Sequence, residues 1–176
     1  DSMLVSIDSP DPATHDAFRN KKGVFKRAMQ TIKTARKLGI ETIIITTVHH
    51  DNIREKNGLM GMIKLAERLG VLLHVSLAAP VGKWASEESC RQFLLTKDDQ
   101  QYLRRLIDKH PFIRRDFDSN FSSRGCPAGT ERFVILPDGE VLVCTKIHVS
   151  FGNLREESMM SIRERMMKYK LFRETP

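Results

Sequence analysis

Short, β-branched apolar runs alternate with longer amphipathic stretches through the first two thirds of the chain, and this alternation restricts the fold more than any other feature. Met3-Leu4-Val5-Ser6-Ile7 is an apolar run that ends in the polar turn Asp8-Ser9-Pro10-Asp11-Pro12. Residues 24–38 follow, with Phe25, Ala28, Met29, Ile32 and Ala35 at the i, i+3, i+4, i+7 spacing of one helix face. Gly39 is the expected C-terminal stop. Residues 42–48, Thr-Ile-Ile-Ile-Thr-Thr-Val, have the composition of a strand buried on both faces of a parallel sheet. A helix is predicted over 53–69, presenting Leu59, Met62, Ile63, Ala66 and Leu69, with Gly70 ending it. A third strand is predicted over 71–78. Beyond the polar loop after Pro80-Val81-Gly82, Thr96 and Asp99 have the spacing of a capping box. Tyr102, Leu103, Leu106 and Ile107 form that helix's apolar stripe, and Pro111 closes it.

Strand–helix repetition of this kind implies a parallel sheet with helical crossovers. Three strands do not close a barrel, so the expectation is an α/β sheet or half of a parallel (β/α) barrel. The character changes near Asp116, where a Ser-, Asn-, Arg- and Gly-rich stretch marks a boundary between residues 1–115 and 116–176. Beyond it, Pro137-Asp138-Gly139 lies between the apolar runs 132–136 and 140–143, a strong β-hairpin signal. Gly152-Asn153 reads as a further turn. A helix is predicted over 159–171, with Met160, Ile162, Met166 and Met167 available for burial.

The formal charge of +7 raises the question of nucleic acid. Basic pairs such as Lys26-Arg27 and Arg36-Lys37 fall in predicted helices, and Arg163-Glu164-Arg165 carries an acid among them. Solvated helix faces therefore explain the charge better than a nucleic-acid interface. Three cysteines argue against a disulfide framework and leave metal or thiol chemistry open. No stretch approaches the ~20 apolar residues of a bilayer helix, and Asp1-Ser2-Met3-Leu4 lacks a signal-peptide layout. A cytoplasmic location is expected, with no membrane partner. The abrupt start on a strand and the stop at Arg173-Glu174-Thr175-Pro176 suggest truncation at both ends.

Polar side chains after the C-terminal end of a parallel strand lie where such sheets bind ligands. Taken alone, Asp8 and Asp11 are turn formers and His15-Asp16 is a surface cap. His49 and His50 are adjacent, and neighbours on a strand point to opposite faces, so a shared metal ion is disfavoured. Asn52 is a candidate cap of the following helix. His74, alternating with apolar neighbours, reads as a core residue, and His110 as a helix end; His148 has no visible partner. Cys126 and Cys144 are separated by a predicted hairpin, as buried apolar cysteines, a zinc pair or iron–sulfur ligands would be.

A resemblance narrows these alternatives. The Ser-x-Asp strand end, followed by His15-Asp16-Ala17-Phe18-Arg19 and the Gly23-Val24-Phe25 helix entry, resembles the fourth strand of radical S-adenosylmethionine (radical SAM) enzymes. It is most similar to the branch with SPASM or twitch extensions. Ser9 and Asn20 stand where that family usually has Gly. The strand ending near His49 to Asn52 resembles the next strand of the family. Cys126-Pro127-Ala128-Gly129, Pro137-Asp138-Gly139, Cys144 and Gly152-Asn153-Leu154 resemble the SPASM/twitch module. The resemblance implies half of a radical SAM barrel over 1–115 and a small α+β module over 116–176. It implies S-adenosylmethionine contacts from Ser6, Arg19 and Asn52, and auxiliary iron–sulfur ligation by Cys126 and Cys144. Cys90 does not match the module.

The family's radical-generating four-iron four-sulfur cluster is held by Cys-x3-Cys-x2-Cys, which this sequence lacks, so no residue here is assigned a catalytic role. The implied activity of the parent is reductive cleavage of S-adenosylmethionine to a 5′-deoxyadenosyl radical, for hydrogen abstraction from a peptide or a cofactor precursor. Implied partners are a small-molecule or peptide substrate, the remaining half of the barrel and an external electron donor. The alternatives are a non-catalytic α/β binding or scaffold module of the same fold and, less favoured, a nucleic-acid-binding domain.

Overall fold

The computed structural model describes residues 2–115, 128–129 and 132–170. The chain folds as two compact units, Asp1–Asp116 and Phe117–Pro176.

In the first unit β1 (Ser2–Ser6) leads through α1 (Pro12–Phe18) and α2 (Val24–Lys37) to β2 (Glu41–Val48). After β2 come α3 (His50–Ile53), α4 (Leu59–Leu69) and β3 (Leu72–Leu77). A 3-10 turn (Gly82–Trp84), α5 (Glu87–Phe93), α6 (Lys97–Lys109) and β4 (Ile113–Arg115) complete the unit. The four strands are parallel, in the order β1-β2-β3-β4. This is the parallel α/β sheet that the alternating pattern predicts.

Register explains where the core lies. Val5, Ile44, Leu73 and Ile113 stand side by side across the sheet, and all are buried. Below them α2 contributes Ile32 and Ala35, and α4 contributes Met62, Ile63 and Ala66, also buried. Each fully buried aliphatic side chain is worth about 1.5–3 kcal/mol. Side chains alternate along a strand, so Ser6, Ile45, His74 and Arg114 form the neighbouring row on the opposite face. That face is open among the described residues: Leu4 is 54% exposed, and Ile43, Ile45 and Leu72 are half-buried. β2 is therefore buried on one face, not on both as its composition suggests. His74 belongs to the open face rather than the core.

Three further expectations are corrected. The helix predicted over 53–69 is broken into α3 and α4, and a Cβ on Gly58 would lie 1.7 Å from the carbonyl oxygen of Asn52. The chain doubles back so closely there that only glycine fits. The loop after Gly82 contains α5, whose N-cap Ser86 accepts from the Ser89 amide. His15, read as a surface cap, is 1% exposed.

In the second unit β5 (Val134–Ile135), β6 (Glu140–Cys144) and β7 (Ile147–Asn153) form an antiparallel sheet, followed by α7 (Met159–Met166). The predicted hairpin is present: the Gly139 amide donates to Leu136 O at 2.9 Å, with Gly139 at φ +93°. β7 has no counterpart among the predicted elements, and Gly152-Asn153 ends this strand rather than forming a separate turn. Val141, Val143, Phe151, Ile162 and Met166 form the core. Met160 is 65% exposed, whereas Ile162 and Met166 are buried and Met159 packs partly against them. Residues 116–127, including the predicted linker and Cys126, and residue 171 lie outside the described residues.

Candidate functional site

Just past the C-terminal end of β1, Asp8 organises the polar turn. It is 4% exposed, and its Oδ1 accepts the Thr47 amide at 3.0 Å. The preceding rung is ordinary, Ile7 N–H donating to Ile45 O. The Asp8 carboxylate thus extends the β1–β2 ladder by one side-chain bond. Its Oδ2 accepts from Arg19 Nε at 2.6 Å. The Asp8 amide donates to Nδ1 of buried His15 at 3.1 Å, so that nitrogen carries no proton. Burial pushes the His15 pKa down, with the Arg19 charge adding to that effect and Asp8 opposing it. His15 is a neutral structural histidine, edge-on to Phe25 at 5.8 Å.

Local chemistry builds the rest of this turn. Asp11 caps α1 by accepting from the Thr14 amide, and Pro12 begins the helix, a position that has no use for an N–H. Asp16 accepts from the Gly23 and Phe25 amides, so it closes the entry to α2. Those amides hold its carboxyl below the ordinary value despite an opposing desolvation. Asn20 has φ +49°, the left-handed conformation that favours glycine. Ser9, the other departure, is buried. It donates to Asn57 O and accepts from the Asp11 amide.

Asn52 is not an N-cap but the reciprocal partner in the capping box of α3, whose N-cap is His49. It is the third residue of α3 and turns back: Oδ1 accepts the His49 amide, and Nδ2 donates to Thr47 O, both at 2.9 Å. Thr47 consequently gives its N–H to Asp8 and receives the amide of Asn52 on its carbonyl. One residue of β2 ties the two polar loops together.

A second cluster lies beside the first. Asp99 caps α6 through Thr96, as predicted, and also receives His50 Nδ1 at 2.6 Å and Arg54 Nε at 3.1 Å. Burial would raise the Asp99 pKa, but the bonds from His50, Thr96 and Arg54 outweigh it and hold the carboxyl far below its usual range. Arg54 also covers the Tyr102 ring at 4.8 Å. The rings of Phe18, His49, Trp84 and Phe93 pack nearby at centroid distances of 5.4–6.1 Å, Phe18 and His49 lying parallel. Neither cluster is legible in local sequence. The pairing partners are up to 49 residues apart.

The predicted site residues are placed as follows. Ser6 is exposed on the open face at the end of β1. Arg19 has its Nε engaged by Asp8, while its terminal nitrogens make no hydrogen bond among the described residues. Asn52 is committed to backbone at both amide atoms. Cys144 ends β6 half-buried, and its sulfur accepts the Lys146 amide at 3.3 Å. A hydrogen bond to sulfur suits a thiolate ligand. Cys126 lies outside the described residues. Among the described residues no three His, Cys, Asp or Glu side chains converge on a metal position, and no helix is long and apolar enough to cross a membrane.

The first unit is a parallel α/β sheet with polar and cationic side chains gathered at its strand ends, and the second is a small cysteine-bearing β unit. Residues 126–176 match the SPASM family, described as an iron–sulfur cluster-binding domain. The chain is 31% identical, over 96% of its length, to an AdoMet-dependent heme synthase of Nitratidesulfovibrio vulgaris, and covers 53% of that relative. Among solved structures it resembles Streptococcus suis SuiB bound to precursor peptide SuiA. The TM-score is 0.62 and the identity 12%, covering 97% of this chain and 43% of that one. It also resembles anSMEcpe with bound AdoMet, with TM-score 0.59 and identity 17%, covering 98% and 49%. Residues 126–176 thus match the SPASM family, and nearly the whole chain is similar to relatives named as AdoMet-dependent heme synthases. It spans about half the length of the curated relatives it matches.

Proposed function

We propose that residues 1–115 are half of a radical SAM barrel and residues 116–176 a SPASM-type module. In the whole protein they would serve reductive cleavage of S-adenosylmethionine and hydrogen abstraction from a peptide or a cofactor precursor. The observation that carries this reading is the presentation of Arg19. Its Nε is held by the buried carboxylate of Asp8, two residues past the exposed Ser6 that ends β1, and its terminal nitrogens make no hydrogen bond among the described residues. A guanidinium fixed at one edge retains the fork that binds a carboxylate through parallel bonds. Arg19 would bind the carboxylate of S-adenosylmethionine, and Ser6 would hydrogen-bond the same molecule. Asn52 would act by positioning the β2 strand end, since both of its amide atoms already hold backbone.

S-adenosylmethionine with a reduced cluster would supply radical chemistry when bound, and the role of this chain's residues would be to hold and orient it. Cys144, already accepting an amide hydrogen bond, would ligate an auxiliary iron–sulfur cluster together with Cys126. A cytoplasmic setting and an external electron donor complete the reading. The test is S-adenosylmethionine affinity of the complete protein. Arg19→Ala and Ser6→Ala are each expected to weaken it, Arg19→Ala by about tenfold or more, as loss of a charge-assisted pair requires. Unchanged affinity in both variants would overturn the assignment. A protein that binds the molecule normally but never cleaves it under reducing conditions would support the non-catalytic alternative.

A further inference from the structure

The excess of basic charge is concentrated in one segment rather than spread among acids. Residues 17–40 contain eight Lys and Arg and no Asp or Glu. The other 21 basic residues are set against all 22 acidic ones, so this one segment accounts for the whole excess of positive charge. All eight cations are exposed. Apart from Arg19, none of them makes an ion pair among the described residues.

α2 displays most of this charge. Its apolar side, with Ile32 and Ala35 fully buried, faces the sheet. Lys26, Lys33 and Lys37 recur at i, i+7 and i+11, a single stripe on the opposite side. Arg27 and Arg36 flank it. A groove of about 450 Å³ runs beside the stripe, lined by Gln30, Lys33, Thr34, Arg36, Lys37 and Leu69. Leu38, 70% exposed, ends the helix. Lys33 repels Arg36 at i+3 and Lys37 at i+4, a cost that an opposing acidic surface would relieve.

We propose that the exposed face of α2 is the docking surface for a small acidic one-electron carrier protein. The proposal rests on the functional reading above, because reductive cleavage consumes an electron that must come from outside the chain. Electron-transfer encounters are small and transient, and they gain speed from complementary charge rather than from buried apolar area. A cationic stripe with one exposed leucine fits that requirement. Nucleic acid fits less well, because the outward positions of α2 carry no aromatic ring on which a base could stack.

The experiment uses the complete protein and an acidic flavodoxin in its oxidised state, so that no turnover is needed. Flavin fluorescence is titrated at 50 and 300 mM NaCl. Expected are measurable binding at low salt, a clear loss at high salt, and about tenfold or greater weakening by Lys26→Glu/Lys33→Glu. The same weakening in smaller degree is expected for Lys26→Gln/Lys33→Gln/Lys37→Gln, which guards against misfolding by charge reversal. Lys97→Glu/Arg105→Glu, on α6, should bind as the parent does. Absence of binding, equal binding by the α2 variants, or tighter α2-dependent capture of a 20-base-pair duplex or phosphatidylserine vesicles overturns the proposal. S-adenosylmethionine affinity is measured in parallel: its absence in the parent protein counts against the functional reading alone, while its retention in the α2 variants confines their defect to docking.

Discussion

Arg19 Nε lies 2.6 Å from Asp8 Oδ2, and the two side chains differ sharply in exposure, 37% against 2%. A buried acid thus holds a surface base in place from below. Removing the base strands a buried carboxylate, so Arg19→Ala is expected to cost about 3 kcal/mol of stability. Arg19→Lys should recover part of that stability but little of the ligand affinity, because an ammonium lacks the planar fork. Urea denaturation beside S-adenosylmethionine titration separates the two effects. Equal affinity for Arg and Lys would remove the fork from the argument.

Asp99 joins α6 to His50 and Arg54 on the segment that follows β2. Its folded pKa is depressed, so its contribution is complete above the ordinary carboxylate value of 3.8 and is lost as pH falls below it. Asp99→Asn should therefore destabilise the protein by about 2 kcal/mol near neutrality. The gap between parent and variant should narrow only below about pH 4. Denaturant titrations from pH 3 to 7 would show it. A gap that stays constant down to pH 3 would exclude the charged carboxylate as its source.

Gly139 occupies φ +93°, and a Cβ there would lie 2.5 Å from Asn153 Oδ1. Gly139→Ala meets both a conformational and a steric penalty. It should destabilise the β5–β6 turn by about 1–3 kcal/mol. Thermal unfolding followed by circular dichroism would register the loss, whereas a variant as stable as the parent would mean that Asn153 moves aside at no cost.

Cys144 is half-buried and its sulfur already accepts one amide hydrogen bond. Serine conserves the shape, so Cys144→Ser should leave the fold intact while lowering auxiliary iron–sulfur content. Cys90→Ser, on α5 with its thiol against Trp84 O, should change neither. Iron and sulfide analysis with visible absorption distinguishes the two cysteines; equal losses in both variants would deny Cys144 a particular role.

The helix α2, the capping box of α6 and the Asp138-Gly139 hairpin were all legible from residue order. Each is set by neighbours within a few positions: apolar spacing along one helix face, a side chain reaching three residues, a glycine allowing a positive φ. Resemblance singled out Ser6 and Arg19 because they sit in one short segment. It singled out Asn52 as well, whose side chain ties the His49 amide to Thr47 O, a pairing that residue order alone does not show.

Residue order by itself determined the parallel α/β plan, the small hairpin unit and the chemical types available at the strand ends. Tertiary structure decided which of those residues meet. Strand register placed Ser6, Ile45, His74 and Arg114 on an open face and buried their neighbours. Folding brought Asp99 to His50 across 49 residues, and Asp8 to Thr47 across 39. Local propensities act over a turn or two of chain, whereas a buried carboxylate meets a distant partner only where packing delivers both to one point.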